Sequence, residues 1–191
     1  MKRIPNKRLL VLAAVLLAIV AACATAPKEQ AATDATVQGH APVSHLIGMH
    51  QPRPGLYTGG QPQSEDWTAL AAKGVRTVIS LRPEAELGTR DESAEVRAAG
   101  MTYRNMPIAG PAEITAKNAS LLWTELEKTE GSTVVHCSSG NRVGALLAIG
   151  AATQGGMDTE SAIAFGRSAG LGSAEARVRE VLAETSETSA P

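Results

Sequence analysis

Four residues separate the Cys137 thiol from the Arg142 guanidinium, and all four, Ser138, Ser139, Gly140 and Asn141, are small or polar. His136 stands before the thiol at the end of a β-branched run, and Val143 and Gly144 open an apolar stretch beyond the arginine. A strand, a short loop and a helix in that order make an anion cradle. The loop amides aim inward, and the helix N-terminus behind them adds partial positive charge. A thiol in that field favours its thiolate, the nucleophilic form, so the segment carries a nucleophile inside an oxyanion site.

The elements that must position this loop alternate between strand and helix. Ser64 is placed to cap a helix whose first turn holds Glu65 and Asp66, whose inner face holds Trp67, Leu70 and Ala71, and which stops at Gly74. Val75 to Leu81 reads as a strand. Thr89 and Glu92 have capping-box spacing for a helix ending near Gly100, and Met101 to Ile108 reads as extended. From Thr115 a longer helix places Ala119, Leu122, Trp123 and Leu126 on one face, with Gly131 as its stop. Ser132 to His136 is a short buried strand, Val143 to Thr153 is apolar on nearly every side, and two further helices begin near Asp158 and Ser173. The pattern predicts a single α/β domain: a mostly parallel sheet of about four to five strands, covered by helices on both faces, with the cysteine loop at a strand's C-terminal end.

Several segments together resemble a known family. Cys137 and Arg142 after a strand, Leu56-Tyr57-Thr58-Gly59-Gly60-Gln61-Pro62, the run from Gly74 to Pro83, and Tyr103 with Pro107 are similar to the tyrosine and dual-specificity phosphatase superfamily. The likeness is to its bacterial branch related to the phosphatase-like domain of beta-lactamase-hydrolase-like proteins, and it spans roughly Ser44 to Leu171. The resemblance implies that Cys137 attacks phosphorus and forms a thiophosphate intermediate. Arg142 then grips two equatorial oxygens, a task that suits a planar guanidinium. Ser138, Ser139, Gly140 and Asn141 supply backbone amides, with Gly140 permitting a left-handed turn. His136 either shapes the hydrogen bonding around the thiol or is an ordinary core histidine. The expected substrate is a phosphate monoester or another small anion, and neither a metal nor an organic cofactor is implied.

Three departures qualify the likeness. The loop is one residue shorter than the usual five, Val143 stands where a Ser or Thr usually helps the thiolate leave, and Gly110 stands where a general-acid aspartate is expected. Glu113 is the nearest carboxylate to that gap and is the candidate acid, against the alternative of a solvated residue at a helix entry. Glu84, Glu86 and Asp91 lie on another loop, and the spacing selects none of them. Arg82 is a candidate anion ligand or a surface ion-pair partner. Two other readings stay open: a rhodanese-like sulfurtransferase carrying a Cys137 persulfide, which the short loop suits, and a catalytically silent anion-binding lipoprotein.

The N-terminal residues bear on location. Lys2, Arg3, Lys7 and Arg8 precede an apolar run from Leu9 to Ala22 that reads as a signal peptide over residues 1–22. The ending Val20-Ala21-Ala22-Cys23 resembles a bacterial lipobox, which implies lipidation at Cys23. Residues 23–43 are then a disordered tether with a reach on the order of 25 Å, followed by the domain at 44–184 and a disordered tail at 185–191. The expected location is the bacterial cell envelope, lipid-anchored and facing the periplasm, at the outer membrane. Removing residues 1–22 leaves 14 basic against 19 acidic residues, a net charge of −5, which argues against nucleic acid as a partner. With Cys23 lipidated, Cys137 has no partner for a disulfide within the chain. His40, His45 and His50 are spaced in fives across Pro42 and Gly48, which does not make a metal site. Tyr57, Trp67, Tyr103, Trp123 and Phe165 read as core residues, and Arg97, Arg104 and Arg167 as solvated charges. Oligomeric state is not readable from these residues.

Overall fold

The computed structural model describes residues 48–188. The expected signal peptide and tether, with Cys23, His40 and His45, and residues 189–191 lie outside the described residues. Five strands, β1 (His50–Arg53), β2 (Leu56–Gly59), β3 (Val75–Ser80), β4 (Thr102–Asn105) and β5 (Ser132–His136), form one sheet in the order β1-β2-β5-β3-β4. Only the β1–β2 hairpin is antiparallel; β5 runs parallel to both β2 and β3, and β3 is parallel to β4. β5 is central because Thr133, Val134, Val135 and His136 are all buried, as a strand covered on both faces requires. Gly59, His136 and Ser80 are in register, so the ends of three strands arrive together at the start of the cysteine loop.

Helices cover both faces. α4 (Ala116–Glu127), α5 (Asn141–Thr153), α6 (Thr159–Ser168) and α7 (Glu175–Thr188) build the larger apolar cluster, with Leu122, Leu146, Ile149, Ile163 and Val178 at its centre. α1 (Asp66–Ala72) and α3 (Glu92–Ala98) build a smaller one around Trp67, Leu70, Val96 and Val134. The α/β architecture expected from the alternating pattern is therefore present. α5 packs so closely that a Cβ on Gly144 would meet the Leu171 nitrogen at 2.1 Å and the Gly166 carbonyl oxygen at 2.7 Å. One on Gly150 would meet the Trp123 ring at 2.7 Å, so these glycines admit α6 and α4 rather than the sheet.

Five details differ from the sequence expectations. β1 and β2 are four-residue strands in a segment with no strand assignment. Glu84 and Glu86 belong to a single helical turn, α2 (Glu84–Leu87), which follows Pro83. Asp91 rather than Thr89 caps α3, accepting from the Ala94 amide at 2.9 Å. Ser64 caps nothing; its hydroxyl bonds Glu95 at 2.9 Å, while Asp66 accepts from the Gln63 amide at 2.7 Å. Finally, α7 continues through Thr188, past the boundary expected at 184. The hydroxyls of Thr185 and Ser186 bond the carbonyls of Val181 and Leu182 at 2.7 and 2.8 Å, which lets polar residues extend the helix.

Candidate active site

The strand ends fix the Cys137 backbone before any side chain acts. The Cys137 amide donates to the Gly59 carbonyl at 3.2 Å, the Leu81 amide donates to the His136 carbonyl at 2.8 Å, and the Gln61 amide donates to the Ser138 carbonyl at 3.3 Å. The loop then turns sharply at Gly140, whose φ of 89° is left-handed. A Cβ there would lie 3.3 Å from the Gly59 backbone, so both the torsion and the space call for glycine. α5 begins at the next residue. Its first-turn amides have no carbonyl partner within the helix, and the positive end of its dipole sits at the loop.

Cys137 is 1 % exposed, at the edge of the larger apolar cluster, yet its sulfur is not purely among hydrocarbons. The Gly140 amide donates to Sγ at 3.1 Å, which puts one backbone dipole directly on the sulfur. Ser138 and Ser139 are exposed and, with Asn141, Arg142, Pro111, Ile114 and Arg177, line an open cavity of about 770 Å³ beside the loop, while Cys137 itself stays buried beneath the loop and does not line it. Asn141 works sideways: its Oδ1 accepts from the Gly172 and Ala174 amides at 2.8 and 3.2 Å, and its Nδ2 donates to the Ser173 hydroxyl at 3.0 Å. It ties the loop to the entry of α7. Val143 is fully buried in the core.

Arg142 is held by an inward clamp. Its Nη1 and Nη2 each donate to one oxygen of Glu86 at 2.7 Å, and Nη1 also donates to the Ile108 carbonyl at 2.5 Å. A guanidinium carries five N–H donors, of which this clamp uses three. The two that remain, on Nε and Nη2, form the side-on fork that matches two oxygens of a tetrahedral anion. Glu86 raises the arginine's pKa most, burial opposes it, and the Cys137 sulfur raises it further, so guanidinium and sulfur share one electrostatic site. The Glu86 carboxyl is correspondingly lowered, first by the Arg142 hydrogen bond, against burial, and then by Arg82.

Behind the loop, on the other face, sits a buried polar pair. His136 and Glu92 are both 0 % exposed, and their Nε2 and Oε1 atoms approach to 3.0 Å. The approach lies off the line of a good hydrogen bond, so we describe it as an electrostatic contact. Burial pushes the Glu92 carboxyl up, but contacts with His136, then Gln61 and Tyr103, outweigh it and bring the pKa to about 2.

The structure thus brings Cys137, Ser138, Ser139, Gly140, Asn141 and Arg142 together, as the spacing implied. It does not bring Glu113. That exposed residue sits in a 3-10 turn over Pro111–Glu113, and its carboxylate accepts from the nearby Ala109 amide instead of facing the cavity. The carboxylates that do line the cavity are Glu86 and Glu180, the latter paired with Arg177 at 3.1 Å. Arg82 lines it too, with its Nε 3.3 Å from Glu86. Arg177 and Glu180 carry no local signal in the sequence; only the packing of α7 beside the loop puts them there. Arg97, Arg104 and Arg167 pair with Ser93, Glu125 and Glu175 away from the cavity, and His50 is exposed on β1.

Known proteins share the sequence and the fold. A beta-lactamase hydrolase-like protein of Xylella fastidiosa is 33 % identical over 120 residues, covering 61 % of this chain and 28 % of the relative. Its namesake in Agrobacterium fabrum is 31 % identical over the same span and shares. The chain therefore spans little more than a quarter of the length of these curated relatives. Among solved structures, Tk-PTP in its active form matches with a TM-score of 0.60 at 17 % identity, over 73 % of this chain and 97 % of the other. P. aeruginosa TpbA, solved in complex with phosphotyrosine, matches with a TM-score of 0.51 at 21 % identity, over 74 % and 84 %. At these identities the structures show a shared fold. The family profile described as beta-lactamase hydrolase-like protein, phosphatase-like domain, matches residues 50–154, more than half of the sequence, and the chain belongs to that family.

Proposed function

We propose that the domain is a cysteine-dependent phosphatase that hydrolyses a phosphate monoester. The observation that carries this reading is the convergence on one sulfur of the Gly140 amide, at 3.1 Å, and an arginine whose side-on fork is left open by its clamp. In the first step the Cys137 thiolate attacks phosphorus, the bond from phosphorus to the ester oxygen breaks, and the departing oxygen takes a proton from solvent water. Arg142 and the loop amides of Ser138, Ser139, Gly140 and Asn141 hold the three equatorial oxygens as charge builds on them. In the second step water attacks the phosphocysteine, releasing inorganic phosphate and restoring the thiol. With Val143 in the core, no hydroxyl follows Arg142 to assist the sulfur's departure, so this second step is slow and the intermediate accumulates. Glu113 acts as the acid only if it releases the Ala109 amide.

The phosphotyrosine complex of TpbA supports a phosphorylated side chain or a similar ester as the substrate class. No helix among the described residues is long and apolar enough to cross a membrane. We place the domain at the periplasmic side of the envelope through a lipid on Cys23, and Cys23→Ser is expected to move the protein from the membrane to the soluble fraction.

Activity is tested with p-nitrophenyl phosphate, beside a thiosulfate to cyanide assay for sulfur transfer. Parent protein should release nitrophenol with an initial burst. Cys137→Ser should lose at least about 10³-fold in kcat while still binding phosphate. Arg142→Ala should lose about 10²- to 10³-fold and bind phosphate poorly. Thiocyanate production without phosphate release would instead assign the persulfide chemistry.

A further inference from the structure

Glu92 is a fully buried carboxylate that does not line the cavity beside the cysteine loop, so its partners explain why it is there. Burying an anion without partners is costly, and these are chosen with care. Oε1 lies 3.0 Å from His136 Nε2 and accepts from Gln61 Nε2 at 2.6 Å, while Oε2 accepts from the Tyr103 hydroxyl at 3.1 Å. The other end of the Gln61 amide, Oε1, accepts from Arg82 Nη1. Arg82 donates in turn to the Glu86 carbonyl and, through Nε at 3.3 Å, to its carboxylate. Glu86 is the clamp on Arg142.

One unbroken series of contacts therefore starts at the imidazole beside the nucleophile and ends at the guanidinium facing it. Gln61 is its adaptor. A carboxylate needs a donor and a guanidinium needs an acceptor, and a primary amide offers one at each end, so its orientation here is fixed by chemistry. We propose that Glu92 and Gln61 are positioning residues which, through His136 on one side and Arg82 and Glu86 on the other, set the placement of the Arg142 fork relative to the Cys137 sulfur. The proposal rests on the phosphatase reading above and deepens it, since neither residue meets substrate.

The test is a double-mutant cycle in the full-length chain between Gln61→Ala and Glu86→Gln, read in p-nitrophenyl phosphate turnover and in inorganic phosphate affinity. Gln61→Ala alone should lower kcat/KM about tenfold and weaken phosphate binding about threefold in the folded fraction, beyond any loss of stability from the hydrogen bond that Glu92 loses. In the Glu86→Gln background it should have less than about a twofold effect, because the carboxylate clamp that carries the effect on to Arg142 is already broken. Glu92→Gln should behave as Gln61→Ala does in both backgrounds. The Gln61 variant keeps the test decisive if removing the buried charge prevents folding. Equal Gln61→Ala effects in the two backgrounds would mean general loosening and would overturn the positioning role while leaving the phosphatase reading intact. A parent protein that neither turns over the ester nor binds phosphate overturns both.

Discussion

The two faces of the sheet are built on different principles, and Cys137 sits at the seam between them. Side chains alternate along β5, so Val135 and Cys137 enter the large cluster under α5, while Val134 enters the small cluster near Trp67. His136 follows Val134's face, with its ring 6.0 Å from that of Trp67. The α5 face is mostly aliphatic, and its close-packed residues make the Cys137 side of the strand rigid. The α3 face is smaller and admits Glu92, His136 and Asp66 into its interior. Aliphatic packing supplies stability without direction; buried polar contacts supply direction at some cost in stability. The loop needs both, because a thiol must be held still and an arginine must be aimed.

If that division is right, substitutions on the two faces separate stability from geometry. The largest stability effect is expected from Leu146→Ala on α5, fully buried in the large cluster, which should cost about 2 to 5 kcal/mol in denaturant unfolding. The folded fraction should keep its kcat/KM within about threefold, since no reacting group moves. A large kinetic defect there, at full stability, breaks the comparison.

The acid limb of stability sharpens it from the other face. The Glu92 carboxyl is held at about 2, below its ordinary 4.5. A carboxyl depressed in the folded state stabilises the fold above its unfolded value, and that contribution is lost as pH falls from about 4.5 toward 2. Unfolding free energies measured across this window should fall more steeply for the parent than for Glu92→Gln. Parallel curves would show that the buried pair contributes nothing to the pH dependence. The smallest effect belongs to neither face. Arg179 bridges Glu160 and Glu175 on the surface, and Arg179→Ala should leave thermal unfolding at moderate salt nearly unchanged, because solvent and salt screen the pairs.

How much of this is written locally in the chain differs by region. β5, the loop and α5 are legible because a β-branched run, small polar residues and an apolar helix succeed one another without a gap. Thr115 and Asp158 cap α4 and α6 as their spacing implies, accepting from the amides of Asn118 and Ser161. The β1–β2 hairpin is hidden because each strand has four residues and the segment carries Pro52, Pro54 and Gly55. Glu92 has the spacing of a capping residue, and nothing nearby reveals that its carboxylate turns inward to a histidine 44 positions away. Glu86 and Arg142 are 56 residues apart, so their clamp belongs to the fold. Glu113 illustrates the same limit: it is near the gap in sequence, but its carboxylate is engaged by the Ala109 amide, a contact that spacing alone does not reveal.

The central claim concerns one sulfur atom, and its most direct test is to catch the intermediate. Parent protein mixed with a phosphate monoester and quenched in acid within milliseconds should yield a peptide phosphorylated on Cys137 by mass spectrometry. The modification should be absent from Cys137→Ser and should decay at the steady-state rate of phosphate release. Turnover with phosphate on another residue, or with none trapped while Cys137→Ser remains active, would contradict the account.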